Sequence, residues 1–170
     1  AGSWDYSENR VATTDAAVDK NVVFRVETKE NYDLTFTAKV EAVNTEMKAT
    51  FGGYAFYQDA VNNVAFTFNT EEKTVTLESV KGYDTQAIPA YYPESVDFAK
   101  GVSVKVSKNG NLFELYVDGL LVASILEAYE GAGQVGFAVS YAKVAFEQIA
   151  VSDNAAFASA NLMQKYTPAA

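Results

Sequence analysis

The chain of 170 residues contains neither cysteine nor histidine. Without cysteine, disulfides, thiol nucleophiles and thiolate-held zinc are excluded. Without histidine the commonest general base is missing, and with it the Ser-His-Asp triad and most zinc chemistry. Arginine occurs only as Arg10 and Arg25, too few for a guanidinium fork on phosphate or uronate groups. Positive charge is scarce as a whole: 13 Lys and Arg stand against 22 Asp and Glu, a net charge of −9. A nucleic-acid partner needs a basic footprint, and an anionic membrane attracts basic segments, so neither partner is expected. No run approaches the ~18 continuous apolar residues of a membrane span, so no membrane insertion is expected either.

What the chain has is aromatic residues, at 14% of the total, and alternation. A length of this order is about one domain and buries a core without a metal or a cross-link. Three Gly-punctuated segments are the most informative: KGVSVKVSKNGNLFELYVDGLLVASI (100–125), GQVGFAVSYA (133–142) and KVAFEQIAVSD (143–153). Each alternates apolar and polar residues between turn residues, the pattern of antiparallel strands. Asn109-Gly110 and Asp118-Gly119 are hairpin signals, because these residue types tolerate positive φ. In the last segment Val144 and Phe146 are out of phase with Ile149 and Val151, which predicts a β-bulge at Glu147-Gln148.

The upstream half reads the same way. Short strands are expected around Trp4, with the Trp ring in the core, followed by a half-buried strand that carries Val22, Phe24 and Val26 on one face. Asn31 and Asp33 are expected in a turn, before a strand that turns Leu34, Phe36, Ala38 and Val40 to one side. The segment KATFGGYAFY (48–57) is apolar on both faces, and Gly52 and Gly53 predict a bulge or a close backbone approach. VAFTFN (64–69) and TVTLES (74–79) flank Thr70-Glu71-Glu72-Lys73 as a hairpin. Residues 82–98, with Pro89, Pro93 and three tyrosines, break the alternation and are expected to form a long loop. Lys39, Lys105 and Lys143 are expected to guard strand edges. The expectation is an all-β, antiparallel two-sheet β-sandwich over 1–153, with 154–170 as a tail, linker or short docked helix.

A resemblance follows from these segments. Gly2 and Trp4, DLTFTAKV (33–40), GGYAFYQD (52–59), Gly101 with Val104-Lys105-Val106, NGNLFELYVDG (109–119), GQVGFAV (133–139) and VAFEQIAV (144–151) occur in an order that resembles the concanavalin A-like, laminin G-like jelly roll. More narrowly, the chain is similar to the carbohydrate-binding β-sandwich modules appended to bacterial glycoside hydrolases, the levanase type among them. Tyr57 stands where that group commonly carries an arginine. The resemblance implies a non-catalytic carbohydrate-binding module, a poly- or oligosaccharide partner, and a place in a larger multi-domain, secreted or cell-surface bacterial protein. It leaves two alternatives: a laminin G-like protein-interaction or adhesion domain, and a glycoside-acting enzyme on the same scaffold. It implies no cofactor, although structural calcium near Asp5, Asp15, Asp19 and Asp153 is compatible with the group.

Sugars are held by aromatic faces against C–H patches and by amides or carboxylates on hydroxyls. Two segments offer that combination. One is Tyr57, Gln58, Asp59 and Asn62, with Asn63 beside them; the same residues would also serve as a turn. The other holds Tyr83, Asp84, Gln86, Tyr91 and Tyr92, which would equally pin a crossover to the sheet. Tyr129 and Tyr141 are weaker candidates. Glu114, Tyr116 and Asp118 share a face at period two, the nearest approach to a catalytic acid pair, and are expected on a solvated strand.

Overall fold

Thirteen strands form among the described residues and pair into two antiparallel sheets. The structure is a computed structural model that describes residues 4–28 and 30–153, with the side chains of all but Arg25, Val26 and Asp153. The expected tail over 154–170 lies outside the described residues.

One sheet has seven strands, in the order β1 (Trp4–Ser7), β2 (Arg10–Thr13), β13 (Ala142–Asp153), β4 (Asn31–Val43), β9 (Val102–Asn109), β10 (Leu112–Val117) and β11 (Leu120–Leu126). The other has six: β3 (Asn21–Glu27), β12 (Gln134–Ser140), β5 (Thr50–Asp59), β6 (Asn62–Asn69), β7 (Thr74–Lys81) and β8 (Asp84–Tyr91). The only helical element among the described residues is a 3-10 turn at Phe98–Lys100, capped by Asp97, whose side chain accepts from the Ala99 amide.

Period-two alternation puts one set of side chains from each sheet between the layers. Phe36 on β4 stands at the centre. Its ring lies 5.9 Å from Phe66, 5.2 Å from Phe137 and 5.6 Å from Phe146, and the last two stack on each other at 4.4 Å. Burying each such ring stabilises the fold by about 2–3 kcal/mol. Trp4 packs against this core, 6.5 Å from Phe146, as its position in the sequence led us to expect. Tyr32 crosses the sandwich, and its hydroxyl donates to the Ala55 carbonyl on the opposite sheet. Burial pushes this phenol far above its ordinary range.

The hairpin over 64–79 and the bulge in the last strand are present. The β13 register shifts between Glu147 and Ala150, and Gln148 takes a left-handed φ of 53°. Asp118 and Gly119, both at positive φ, connect β10 to β11. Asn109 closes β9, so the two-residue connection to β10 is Gly110-Asn111 rather than Asn109-Gly110.

Five expectations are corrected. Asn31 and Asp33 lie inside β4: Asn31 Oδ1 accepts from the Gly110 amide at 2.7 Å, and Asp33 Oδ1 accepts from the Ser107 hydroxyl at 2.6 Å. Polar side chains that often cap turns here find their partners across the sheet instead. Residues 84–91 of the expected 82–98 loop form β8, an edge strand whose exposed flank tolerates Pro89. Lys39, Lys105 and Lys143 sit on β4, β9 and β13, all interior strands, and guard no edge. On β3 it is Val23 that enters the core, whereas Phe24 is 36% exposed. Glu114 is 2% exposed, so the row it shares with Tyr116 and Asp118 is not a solvated face.

Candidate functional site

A ledge of aromatic rings lies on the face of the six-stranded sheet turned away from the core. Two tyrosines three residues apart on a regular strand would point to opposite faces. On β5 the register slips between Tyr54 and Phe56, with Ala55 as the additional residue, so Tyr54 and Tyr57 share the outer face while Ala55 and Phe56 stay buried. The third ring comes from β3, two strands away. Phe24 is in register with Gly136 on β12, and Gly136 with Tyr54 on β5. With no side chain on Gly136, the Phe24 ring lies across β12 and reaches 5.8 Å from Tyr54 and 4.6 Å from Tyr57. Tyr54 and Tyr57 meet at 4.8 Å.

Polar side chains flank the ledge. Glu27, Gln134 and Tyr57 form one cross-strand row. Ala65 and Glu78 continue the row that holds Tyr54. Burial raises the Tyr54 phenol, and the neighbouring Tyr57 and Glu78 raise it further, so it remains a protonated donor. Beside Tyr57 an open cleft of about 550 Å³ is lined by Glu27, Gln58, Asp59, Gly133 and Gln134. On the other side of Tyr54 a shallow depression of about 240 Å³ runs over the small side chains of Ala65, Thr67 and Ala138. Rings that present a face, next to carboxylates and an amide, can hold a ligand with both C–H patches and hydroxyl groups.

The sequence-predicted residues divide into three groups. Tyr57 belongs to the ledge. Gln58, Asp59 and Asn62 sit at the same end of the sheet, and each has structural work there. Gln58 Nε2 donates to the carbonyls of Glu130 and Ala132 and so fastens the β11–β12 connection beside the cleft. Asp59 Oδ1 accepts from the Val61 amide at 2.9 Å and from Asn62 Nδ2 at 3.0 Å, closing the β5–β6 turn. Tyr129 completes this end: its ring stacks 4.7 Å from Phe56, and its hydroxyl lies 2.8 Å from the Asn63 carbonyl and 2.7 Å from that of Val80. Tyr83 is fully exposed in the neighbouring β7–β8 turn, where the Gly82 amide donates to the Val61 carbonyl at 2.7 Å.

Gln86 stands midway along β8 and donates to Glu127 Oε2 at 3.0 Å and to the Leu126 carbonyl at 3.2 Å, joining the edges of the two sheets. Tyr91 is exposed at the far end of β8. Tyr92 is only 4% exposed and packs 6.1 Å from Phe68 and 5.3 Å from Phe98. The expectation of one tyrosine platform over 82–98 is therefore corrected: β8 carries Tyr83 and Tyr91 to opposite ends of the sheet.

Sequence reasoning missed Phe24, Tyr54, Glu27, Glu78 and Gln134. The available signal was Gly136, a glycine inside a strand that a ring must cross. It identifies Phe24 only once β3 and β12 are known to be neighbours. Elsewhere Lys105 Nζ lies 4.3 Å over the Tyr116 ring. No group of three or more His, Cys, Asp or Glu side chains converges among the described residues, and Asp15 caps the Ala17 amide at 2.8 Å.

No protein-family model matches the chain, and no curated protein matches it in sequence. Solved structures match it in fold. It superposes on the carbohydrate-binding module CBM66 from Bacillus subtilis with a TM-score of 0.71, at 15% identity, over 90% of this chain and 92% of that one. For sheep galectin-11 the TM-score is 0.58 at 7% identity, covering 79% and 98%. For an endo-beta-1,3-glucanase from Pyrococcus furiosus it is 0.62 at 12% identity, covering 85% and 65%. The fold these structures share is the all-β, antiparallel two-sheet sandwich expected from the sequence.

Proposed function

We propose that this protein is a non-catalytic carbohydrate-binding module that takes its ligand on the Phe24–Tyr54–Tyr57 ledge. The observation that carries the reading is the ledge itself: three mutually contacting rings on an open sheet face, with Glu27, Gln134 and Glu78 in the adjoining positions. Apolar C–H faces of a pyranose or furanose lie on the rings, and the hydroxyls are met by the carboxylates and the amide. The fold is one that proteins named as a carbohydrate-binding module and as a galectin share. A glucanase shares it too, but here Glu114, the sequence's nearest approach to one member of a catalytic acid pair, is buried, which supports binding without turnover. A secreted or surface-attached bacterial protein with further domains is the setting that suits a cysteine-free, acidic, aromatic-rich module.

Titration calorimetry with fructan, β-glucan and arabinan oligosaccharides tests the reading. Micromolar to millimolar affinity is expected, roughly −4 to −8 kcal/mol. Replacing Tyr57 with alanine removes about 1–1.4 kcal/mol of that, a weakening of roughly five- to tenfold. Flat isotherms for every sugar at millimolar concentration would refute the proposal.

One observation favours a second reading, a protein-interaction domain. Leu120, Leu121 and Leu126 on β11 and Ile88 on the adjacent β8 are exposed along one side of the sandwich. A protein partner captured by the wild type, and lost on Leu121→Asp with no sugar bound by either, would decide for it.

A further inference from the structure

A second cavity, of about 590 Å³, opens at the end of the sandwich away from the ledge. Its walls are the last residues of β4, the β6–β7 turn and the 92–100 segment that crosses from one sheet to the other. The crossing segment is anchored. Phe98 packs 4.9 Å from Phe51 and 5.0 Å from Phe68, the Lys100 amide donates to the Asp97 carbonyl at 3.1 Å, and the Val96 amide to the Pro93 carbonyl at 3.0 Å. The cavity is thus built into the fold, and its volume falls in the ordinary range of small-ligand sites.

Its chemistry is mixed in a specific way. Val40, Val96 and Phe98 supply an apolar floor. Around the rim stand Glu41, Glu94 and Asp97 against Lys73 and Lys100, with Lys73 Nζ 3.7 Å from Glu94 Oε2 and Glu41 Oε2 3.6 Å from Lys143 Nζ. Tyr92 adds a phenol that burial, Glu94 and Asp97 hold protonated up to about 12. Carboxylates and ammonium groups in near balance give an ionic ligand little net attraction. They offer a neutral polyol both acceptors and donors, in charge-assisted hydrogen bonds that are stronger than neutral ones.

We propose that this cavity is a second saccharide site, which takes a short neutral oligosaccharide and makes the module bivalent. The inference rests on the reading that the protein binds carbohydrate. Ala65, the β6 partner of Tyr54, stands five residues from Thr70 on the cavity wall, about 16 Å of strand, so the two sites are separate and can engage two chains or distant parts of one polymer.

The test is amide chemical-shift mapping of the full chain with laminaritetraose, cellotetraose and levantetraose at millimolar concentration. The expected result is saturable shifts in two separate groups, one at 54–58 and 134–136, the other at 40–43, 70–73 and 92–100. Glu94→Ala with Lys100→Ala removes one charge of each sign and weakens the second group roughly tenfold, leaving the first unchanged. Ala99→Trp fills the cavity without touching a charge and abolishes the second group. Shifts at the ledge with no response over 92–100 overturn this inference and leave the ledge reading standing. Cavity shifts that survive both variants also overturn it. A response confined to the cavity sustains saccharide binding there but overturns the bivalency and removes the ledge. No response anywhere removes both.

Discussion

The rings of Phe24 and Tyr57 lie 4.6 Å apart although the strands that carry them are not neighbours, because Gly136 on the strand between them has no side chain to interrupt the contact. A Cβ at Gly136 would stand 2.7 Å from Phe24 Cδ1 and 2.8 Å from the Val23 carbonyl oxygen. Gly136→Ala therefore lifts Phe24 off the ledge at a cost of about 1–3 kcal/mol. The expected outcome is a lowered melting temperature together with weakened sugar binding. Phe24→Ala weakens binding with a smaller loss of stability. Unchanged affinity in Gly136→Ala would remove Phe24 from the site.

Gly52 and Gly53 serve packing rather than ligand. A methyl group on Gly52 would collide with the Phe66 carbonyl oxygen on β6, and one on Gly53 with the Gly136 carbonyl oxygen on β12. Main chain on both flanks cannot give way as a side chain can. Either substitution to alanine is expected to destabilise the fold by about 3 kcal/mol or more, measured by urea denaturation. A loss below about 1 kcal/mol would contradict the close approach.

Lys108 is 7% exposed, and its ammonium group donates to the Glu30 carbonyl at 2.8 Å and sits 5.9 Å and 5.8 Å over the rings of Phe56 and Phe113. Desolvation lowers its pKa, against a smaller opposing influence of Glu30. A folded pKa below the unfolded one means that stability from this group is present above the unfolded value, near 10.4, and lost as pH falls through the folded value. Lys108→Met is expected to raise stability by about 1 kcal/mol at neutral pH, with the gain shrinking as pH approaches 10. A gain that does not vary with pH would show that packing, not charge, is responsible.

Tyr129 fastens the β11–β12 connection to β6 and β7, and burial raises its phenol well above the ordinary range. Tyr129→Phe leaves its carbonyl partners unmet and is expected to cost about 1–2 kcal/mol. Hydrogen exchange at Gly133, whose amide donates to Thr28 Oγ1 at 2.9 Å, then quickens. Because Gly133 lines the ledge cleft, a modest loss of sugar affinity accompanies it.

Alkaline pH provides a further check. Tyr32, Tyr92 and Tyr129 all have raised pKa values, with Tyr92 at about 12. Their burial contributes stability that is complete below the unfolded value near 10 and is lost as pH rises through the folded values. Unfolding coincident with a late tyrosinate absorbance step is expected. A single early step for all eleven tyrosines, with the fold intact, would contradict it.

Much of the fold was legible because strand alternation and turn chemistry are local. Val102, Val104 and Val106 face the core as their spacing requires, and Asp118-Gly119 turns where its tolerance of positive φ allows. The slip in phase after Phe146 located the β13 bulge. Reading failed where a residue's partner is distant in sequence. Asn31 and Asp33 looked like turn formers, yet they bond Gly110 and Ser107 more than seventy residues away. The 82–91 stretch lacked alternation because an edge strand is exposed on both faces, and no burial pattern marks it.

The amino-acid sequence by itself determined the class of fold, most strand limits and the chemistry that is ruled out, since each depends on residue type and on spacing within a few positions. Tertiary structure alone decided which aromatic rings meet. Phe24 was read on the core face and stands outside, Tyr92 was read as a ledge and is buried, and Tyr54 and Tyr57 share a face only through the additional residue Ala55. Sheet order and register set which side chains become neighbours, and they arise from pairing between strands that are in places more than a hundred residues apart, a relation that no local pattern encodes.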